Sequence, residues 1–151
     1  MARVSTYLSF MGNTEEAFNF YKEVFGTEFE RPIMYMKDTP SDPSRPPLPD
    51  DEKDKVMHAA LPITGGHVIM GTDMLASMGH ELKVGNNITL NLEPDTLEET
   101  ERLYKELSEG GAENSPLQKM FWGAYWGSCL DKFGIRWMFN FYIDPPESTV
   151  A

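Results

Sequence analysis

The chain has 151 residues, of which 40% are apolar and 25% are charged, so its composition is globular and excludes a collagenous or wholly disordered protein. This length accommodates one domain, or two small halves that share a core. Twenty-four acidic residues against 13 basic ones give a net charge of −11, which repels the phosphates of nucleic acid and of anionic lipid. We therefore expect neither nucleic acid nor a membrane as a partner.

Cysteine usage and the start of the chain bear on the cellular compartment. The single cysteine, Cys129, excludes a disulfide framework and a thiolate metal cluster. The first residues carry no apolar signal core, and no apolar run reaches the roughly 18 residues of a membrane-spanning helix. We expect a cytoplasmic protein, in which Cys129 is an inert buried thiol rather than a nucleophile.

The first periodic segment predicts an amphipathic helix over residues 14–25. Asn13 or Thr14 can cap its start, two glutamates in the first turn suit the positive end of the helix dipole, and Gly26 ends it. Mostly apolar or β-branched stretches on either side of this helix predict strands over residues 4–11 and 29–37.

A second helix, predicted over residues 97–109, repeats the first. The pair of glutamates in its first turn and the Tyr-Lys-Glu near its middle recur at a constant offset of 83 residues. A predicted strand at 87–93 precedes it, and extended segments follow both helices. The repeat predicts an α+β protein of two βαβββ modules, 1–78 and 85–144, forming one domain with a flexible tail at 145–151. Two unrelated helices with acidic starts are the alternative.

Residues 38–54 contain five of the 11 prolines and almost no apolar side chain. Such a segment buries too little surface to order itself, so we expect a solvated, mobile excursion. It acts either as a lid over a pocket or as a plain insertion. The remaining strands are predicted over residues 56–63, 67–71, 120–130 and 135–143.

Several motifs follow one another along the chain. They are Asn13 to Gly26, His58-Ala59-Ala60-Leu61, Gly65-Gly66-His67-Val68-Ile69-Met70, Phe121-Trp122-Gly123 with Gly127, and Asp131-Lys132-Phe133-Gly134 with Trp137. In this order they resemble the vicinal oxygen chelate superfamily of glyoxalases, bleomycin-resistance proteins and extradiol dioxygenases, and within it the PhnB-like branch. The resemblance implies a glyoxalase/bleomycin-resistance-type fold, in which two βαβββ modules form a curled mixed sheet cup around a ligand, and it implies a homodimer.

Metal-dependent members of this superfamily hold a divalent ion with His and Glu side chains on the first and last strands of each module. The resemblance implies that Thr6, Met70, Asn87 and Met138 occupy these four positions, with Thr89 as an alternative to Asn87. None is a usual ligand, because thioether sulfur is soft and neutral whereas such ions prefer imidazole and carboxylate. We expect no metal and no other cofactor, and we expect these four residues to contact a small-molecule ligand instead.

The three histidines do not complete a metal site. His58 and His67 lie on predicted paired strands, but two imidazoles without a fixed carboxylate make an incomplete set of ligands. His80 lies in a Met- and Gly-rich link and is expected to be exposed. His58 is either a polar group inside the cup that hydrogen-bonds a ligand or moves a proton, or a structural histidine with a partner of its own. Both interpretations stay open.

Nine aromatic residues crowd the segment 121–142, and most of them must belong to the core. Alternate residues of a strand face opposite sides, so the position implied for Met138, inside the cup, sends Trp137 toward the helices. Glycine admits close approach of a ligand to the backbone. The candidates for an aromatic ligand wall, each near a glycine, are Trp122 and either Tyr125 or Trp126.

Three functions are compatible with these features. The first is a metal-free PhnB-like protein that binds a small organic molecule in an aromatic-lined cup. The second is a glyoxalase- or dioxygenase-like enzyme that uses a divalent metal or His58 as a general base. The third is a dimeric scaffold without a ligand. Members of the branch are sometimes labelled ubiquinone-biosynthesis methyltransferases, a label we reject because no strand here leads into a glycine-rich nucleotide loop.

Overall fold

The structure is a computed structural model that describes residues 1–143. The chain divides between Lys83 and Val84 into two compact units, which we call module 1 and module 2. That the two modules form one domain stays a prediction, and the predicted flexible tail at 145–151 lies outside the described residues. No helix within residues 1–143 is long and apolar enough to cross a membrane. The cytoplasmic location stays a prediction.

Module 1 has the predicted order of one strand, one helix and three strands. Its elements are β1 (Thr6–Phe10), α1 (Thr14–Phe25), β2 (Met34–Tyr35), β3 (Val56–Pro62) and β4 (Val68–Asp73). The sheet has the strand order β1-β4-β3-β2, in which β1 runs parallel to β4 and the other neighbours are antiparallel. This mixed sheet together with α1 makes one βαβββ module.

Helix α1 packs on one face of this sheet through its apolar stripe. Phe18 and Tyr21 are fully buried, and the Phe18 ring meets Phe10 of β1 edge to face at 6.2 Å between centroids. Gly71 of β4 lies beneath Phe18, where a Cβ would come within 2.7 Å of the Phe18 ring. Gly26 ends the helix in the left-handed conformation, as predicted.

The cap of α1 differs from the prediction. Asn13 is the residue before the helix, but its side chain makes no capping hydrogen bond. The buried carboxylate of Asp73 takes this role, because one of its oxygens accepts from the backbone N–H of Gly12 at 3.0 Å and of Thr14 at 3.1 Å. That oxygen also accepts from the Thr14 hydroxyl at 2.7 Å, and the other accepts from Val56 N–H at 2.8 Å. One carboxylate therefore joins α1, β3 and β4.

Module 2 repeats the architecture. Its elements are β5 (Leu90–Leu92), α2 (Leu97–Ser108), β6 (Ala112–Lys119), β7 (Ala124–Leu130) and β8 (Arg136–Tyr142). The strand order is β5-β8-β7-β6, with β5 parallel to β8 and the other neighbours antiparallel. The fold class predicted from the internal repeat is therefore confirmed.

Helix α2 begins as the sequence predicts. Thr96 precedes the helix, and its hydroxyl accepts from Glu99 N–H at 3.1 Å. The helix packs on Phe139 of β8, whose ring meets Tyr104 edge to face at 5.3 Å between centroids. Trp137, two residues earlier on the same strand, is also fully buried. The prediction that Trp137 faces the helix is confirmed.

Several predicted strands are longer than the observed ones. The predicted strand at 29–37 shrinks to two residues, and the one at 87–93 begins only at Leu90. The predicted strand at 120–130 contains a turn at Met120–Gly123, because Gly123 has a φ of +86° that a strand does not allow. The strand before that turn, β6, has mostly polar residues, and no apolar alternation indicated it.

The segment 38–54 is largely exposed, as predicted. Three-residue 3-10 turns lie near its ends, at Met36–Asp38 and Asp50–Glu52. Glu52 is 6% exposed, and its carboxylate accepts from the backbone N–H and the hydroxyl of Ser77. The segment is therefore attached to the body of module 1 at its C-terminal end.

Candidate functional site

Each sheet has a face covered by its helix, the helix face, and an opposite one, the open face. In module 1, Leu8 and Phe10 are buried on the helix face, so Tyr7 and Ser9 point to the open face. Tyr7 pairs with Met70 and Ser9 with Thr72, and Ala60 of β3 pairs with the same Met70. The open face of module 1 therefore includes Tyr7, Ser9, His58, Ala60, Met70 and Thr72.

Tyr7 and His58 form a hydrogen-bonded pair on this face. The phenol oxygen lies 3.2 Å from His58 Nδ1, and the two rings are tilted with centroids 5.9 Å apart. Partial burial raises the pKa of Tyr7 above its ordinary value, against a smaller lowering by the hydrogen bond with Thr72. The phenol therefore keeps its proton at neutral pH, yet Tyr7 remains 53% exposed. The pair is ordered by its own contacts and is accessible.

Thr6, predicted to line the cup, does not share the open face. It lies on the same side of β1 as Leu8 and Phe10, and its hydroxyl lies 2.8 Å from His67 Nε2. On β1 the position that the resemblance implied for Thr6 is displaced by one residue, to Tyr7. A shift of one residue along a strand moves the side chain to the opposite face of the sheet. The residue that sequence reasoning missed is Tyr7. The alternation of Leu8 and Phe10 was the signal that could have found it.

The open face of module 2 is built around two amides. Asn91 of β5 pairs with Met138 of β8, and Asn140, two residues further along β8, donates from Nδ2 to the Asn91 side-chain oxygen at 2.7 Å. Trp126 of β7 pairs with Asn140, and Ser128 pairs with Met138. The face therefore combines an indole, a thioether and an amide pair.

Trp126 and Tyr125 take opposite faces of β7. Tyr125 pairs with Phe141, which alternates with the open-face residues of β8 and so lies on the helix side. The sequence left the choice between Tyr125 and Trp126 open. Strand register places Trp126 on the open face and Tyr125 on the helix face. Trp122 lies in the turn between β6 and β7, 46% exposed and packed edge to face on Phe121. It is not on the open face of the sheet.

Asn87, predicted at a superfamily metal position, lies in the bend before β5 and is exposed. The alternative Thr89 is also exposed and outside the strand. Asn91 is the residue of β5 that lies beside Met138 on the open face. Sequence reasoning missed Asn91 because strand β5 begins three residues later than predicted.

The donors on these strands do not fit a divalent metal. Besides Arg136, whose guanidinium is not a metal ligand, the side chains with donor atoms on the open faces of the first and last strands are Tyr7, Ser9, Met70 and Thr72 in module 1, and Asn91, Met138, Asn140 and Tyr142 in module 2. They offer neutral hydroxyl, thioether and amide groups, whereas divalent first-row ions are held by imidazole and carboxylate. Within residues 1–143, no group of three or more His, Cys, Asp or Glu side chains is placed to hold a metal ion.

The remaining candidate groups have structural partners. His80 is exposed, as predicted, and its Nδ1 accepts from Leu75 N–H at 3.0 Å. Cys129 is buried, as predicted, and burial together with the charge of Asp131 raises its pKa to about 12. A thiol with this pKa carries almost no thiolate at neutral pH and is not a nucleophile.

The comparisons with known proteins agree with this architecture. A family model described as 3-demethylubiquinone-9 3-methyltransferase matches residues 2–139. Protein YjdN from Escherichia coli strain K12 is 29% identical over 144 residues, which cover 91% of this chain and 93% of that protein.

Solved structures show the same fold. Protein PA1353 from Pseudomonas aeruginosa is 33% identical, with a TM-score of 0.80 and coverage of 95% of this chain and 100% of that one. The PhnB protein from Bacillus cereus is 26% identical, with a TM-score of 0.72 and coverage of 93% and 99%. At 18% identity, a glyoxalase/bleomycin resistance protein/dioxygenase family enzyme from Burkholderia phytofirmans PsJN shares the fold alone, with a TM-score of 0.55 over 91% and 98%.

Proposed function

The chain belongs to the family described as 3-demethylubiquinone-9 3-methyltransferase, as a PhnB-like member of the vicinal oxygen chelate superfamily, and we propose that it binds a small organic molecule without a divalent metal. The observation that supports this proposal is the donor set of the open faces. It consists of hydroxyl, thioether and amide groups in place of the imidazole and carboxylate that a metal needs.

The open face of each module offers its own set of groups to a ligand. Trp126 and Met138 in module 2 present flat and polarisable apolar surface, while the amides of Asn91 and Asn140 fix the orientation of a polar group. In module 1, His58 offers a ring nitrogen beside Tyr7. A planar organic molecule with polar substituents would match either set of groups by itself.

Metal content tests the first part of the proposal. We expect protein purified without chelator to contain less than about one-tenth of an equivalent of Mn, Fe, Co, Ni, Cu or Zn per chain by mass spectrometry. EDTA should leave the melting temperature unchanged. One equivalent of a metal, together with a melting temperature that EDTA lowers and that same ion restores, would contradict the metal-free proposal.

Ligand binding tests the second part. A thermal-shift screen over aromatic metabolites and hydrophobic antibiotics should return a compound that binds. Its affinity should fall about ten-fold or more in Trp126→Ala, because stacking of the ligand's aromatic ring on the indole is lost. Phe121→Ala is the matched control, since Phe121 is 97% exposed in the turn between β6 and β7 and lies off the open face. Equal losses in both variants would argue against a site on the open face.

A second candidate is a metal-free enzyme in which His58 is a general base. The contact between Tyr7 and His58 favours it in the tautomer that donates from Nδ1 to the phenol oxygen, because a held imidazole then has a free lone pair on Nε2 that can take a proton. Under this candidate, His58→Ala would abolish turnover of a screened ligand while leaving its binding within about three-fold. If the same variant lost binding without any turnover to lose, His58 would be a ligand contact only.

The family description raises methyl transfer, and we propose that this chain does not carry it out. In nucleotide-binding folds, the ligand accepts hydrogen bonds from free backbone N–H groups in the turn between the first strand and its helix. In this chain that turn joins β1 and α1. There the N–H groups of Gly12 and Thr14 already donate to Asp73. Calorimetry with S-adenosylmethionine should therefore give no heat of binding, and a dissociation constant at or below about 100 μM would contradict this proposal.

The homodimer also stays a proposal. Strand β6 is eight residues long and lies at the edge of its sheet, and such an edge exposes unpaired backbone groups that a second chain can cover. The neighbouring turn exposes Phe121 and Trp122. Light scattering at micromolar concentration should give twice the chain mass of 17.2 kDa, and a single-chain mass would contradict the dimer.

A further inference from the structure

The geometry points to Tyr7 as a positioning residue that holds His58 with its proton on Nε2, so that His58 donates a hydrogen bond to a carbonyl or carboxylate oxygen of the ligand. This inference rests on the proposed function, since it names the chemistry by which the open face of module 1 would recognise the bound molecule. It does not require that any reaction takes place.

The direction of the hydrogen bond between Tyr7 and His58 is the first step. The two atoms, 3.2 Å apart, share one proton between them, and either group can be the donor. Of the two groups the imidazole nitrogen is the stronger acceptor and the phenol the stronger donor, and the nearby Thr72 hydroxyl donates to the Val56 carbonyl at 3.4 Å. The phenol proton is therefore directed to His58 Nδ1.

The tautomer of His58 follows from this direction. A neutral imidazole carries one proton, so a ring that accepts at Nδ1 must carry its proton on Nε2. Within residues 1–143, no hydrogen-bond partner for His58 Nε2 is present. The other two histidines differ, because His67 Nε2 is bonded to the Thr6 hydroxyl and His80 Nδ1 to Leu75 N–H. Only His58 combines a fixed orientation with a place on the open face.

The charge around His58 selects the group it would bind. The chain carries a net charge of −11, yet the strand residues of this open face include no Asp, Glu, Lys or Arg. None of these strand residues is therefore a carboxylate that could accept from Nε2–H or repel an anionic oxygen. A donor in such a neutral setting pairs best with a carbonyl or carboxylate acceptor.

Nitrogen NMR of imidazole-labelled protein tests the tautomer without any ligand. At about pH 8.5, where an ordinary imidazole is neutral, His58 should show the Nε2–H form with Nδ1 shifted by an accepted hydrogen bond. Tyr7→Phe should remove that shift and give a mixture of both tautomers. Thr6→Val is the matched control, and it should change the signals of His67 only. An Nδ1–H form in the wild type, or a His58 spectrum unaffected by Tyr7→Phe, would overturn the positioning role.

Two small probes test the ligand class. Benzoate carries an acceptor oxygen pair and aniline does not, while both have one benzene ring. We expect benzoate, and not aniline, to shift the His58 Nε2–H signal, and we expect Tyr7→Phe to weaken benzoate binding about five-fold. If benzoate leaves that signal unchanged, the acceptor-oxygen assignment is wrong. If the tautomer is as expected but no compound of the larger screen binds, the proposed function fails while the positioning of His58 stands.

Discussion

Modules 1 and 2 have the same topology, but they achieve the packing of helix on sheet in opposite ways. In module 1 the bulky residue is Phe18 on the helix, and the sheet provides space at Gly71. In module 2 the bulky residue is Phe139 on the sheet, immediately after Met138, just as Gly71 follows Met70. The repeated topology therefore constrains the total volume between helix and sheet, and not the residue at any one position.

The two helix starts differ in the same way. Helix α2 is capped locally by Thr96, the residue before it, whereas α1 is capped by Asp73, which is 59 residues away from Thr14. The local cap satisfies one backbone donor, and the distant one satisfies donors from the loop, the helix and strand β3 together. The start of α1 therefore depends on a side chain distant in the sequence, whereas the start of α2 depends on its neighbour.

Loss of the Asp73 carboxylate should have the largest effect. Asp73→Ala leaves several buried or partly buried donors without a partner, at about 1–3 kcal/mol each, so we expect a loss of about 4 kcal/mol or more in the free energy of unfolding. Urea unfolding followed by circular dichroism measures it. A loss below about 2 kcal/mol would mean that water or a neighbouring group replaces the carboxylate.

Filling the space beneath Phe18 should have the next largest effect. Gly71→Ala places a methyl group within 2.7 Å of the Phe18 ring, so α1 must move and the free energy of unfolding should fall by about 1–3 kcal/mol. Gly85→Ala is the control, because its Cβ would meet only the Asn87 side chain at 3.6 Å, and its effect should stay within about 0.5 kcal/mol. Equal effects of the two substitutions would show that the close packing on Phe18 is relieved without cost.

The local cap of α2 gives a smaller effect and a direct contrast between the helices. Thr96→Ala removes the hydroxyl that accepts from Glu99 N–H and should cost about 1 kcal/mol in urea unfolding. Asn13→Ala, at the corresponding position before α1, should cost much less, because that side chain makes no capping hydrogen bond. If Asn13→Ala proved the more harmful of the two, the assignment of the α1 cap to Asp73 would be wrong.

Alkaline pH should destabilise module 2 through the buried thiol of Cys129. The folded state raises the pKa of Cys129 to about 12, so above about pH 9 the thiol ionises in the unfolded chain before it does in the folded one. The contribution of this thiol to the free energy of unfolding is complete below the pKa that Cys129 has in the unfolded chain. It is lost as pH rises toward about 12, by at most about 1.4 kcal/mol per pH unit.

The matched variant for this pH dependence is Cys129→Ser, which has nearly the same shape and does not titrate in this range. Urea unfolding between about pH 8 and pH 10 should show a steeper decline for the wild type than for the variant. Parallel curves would indicate that water reaches the thiol in the folded state. Because Cys129 is the only cysteine, this difference reports on module 2 alone.

The candidate site was predictable only in part. His58, Met70, Trp126 and Met138 lie on the open faces, and the sequence identified all four as candidates. Tyr7 was missed because the correspondence with the superfamily positions is displaced by one residue on β1, although the alternation of Leu8 and Phe10 indicates the open face. Asn91 was missed because β5 has only three residues, too few for alternation to fix its register.

Local chemistry determined the elements that the sequence predicts well. The helical spacing, the glutamates of the first turns and Gly26 set the helices, because these signals act between near neighbours in the chain. The repeat at an offset of 83 residues indicated two modules of one topology. Tertiary structure alone decided the rest. The cap of α1 comes from Asp73 and the partner of His58 from Tyr7, 51 residues away, because each contact exists only after distant strands have paired in one register.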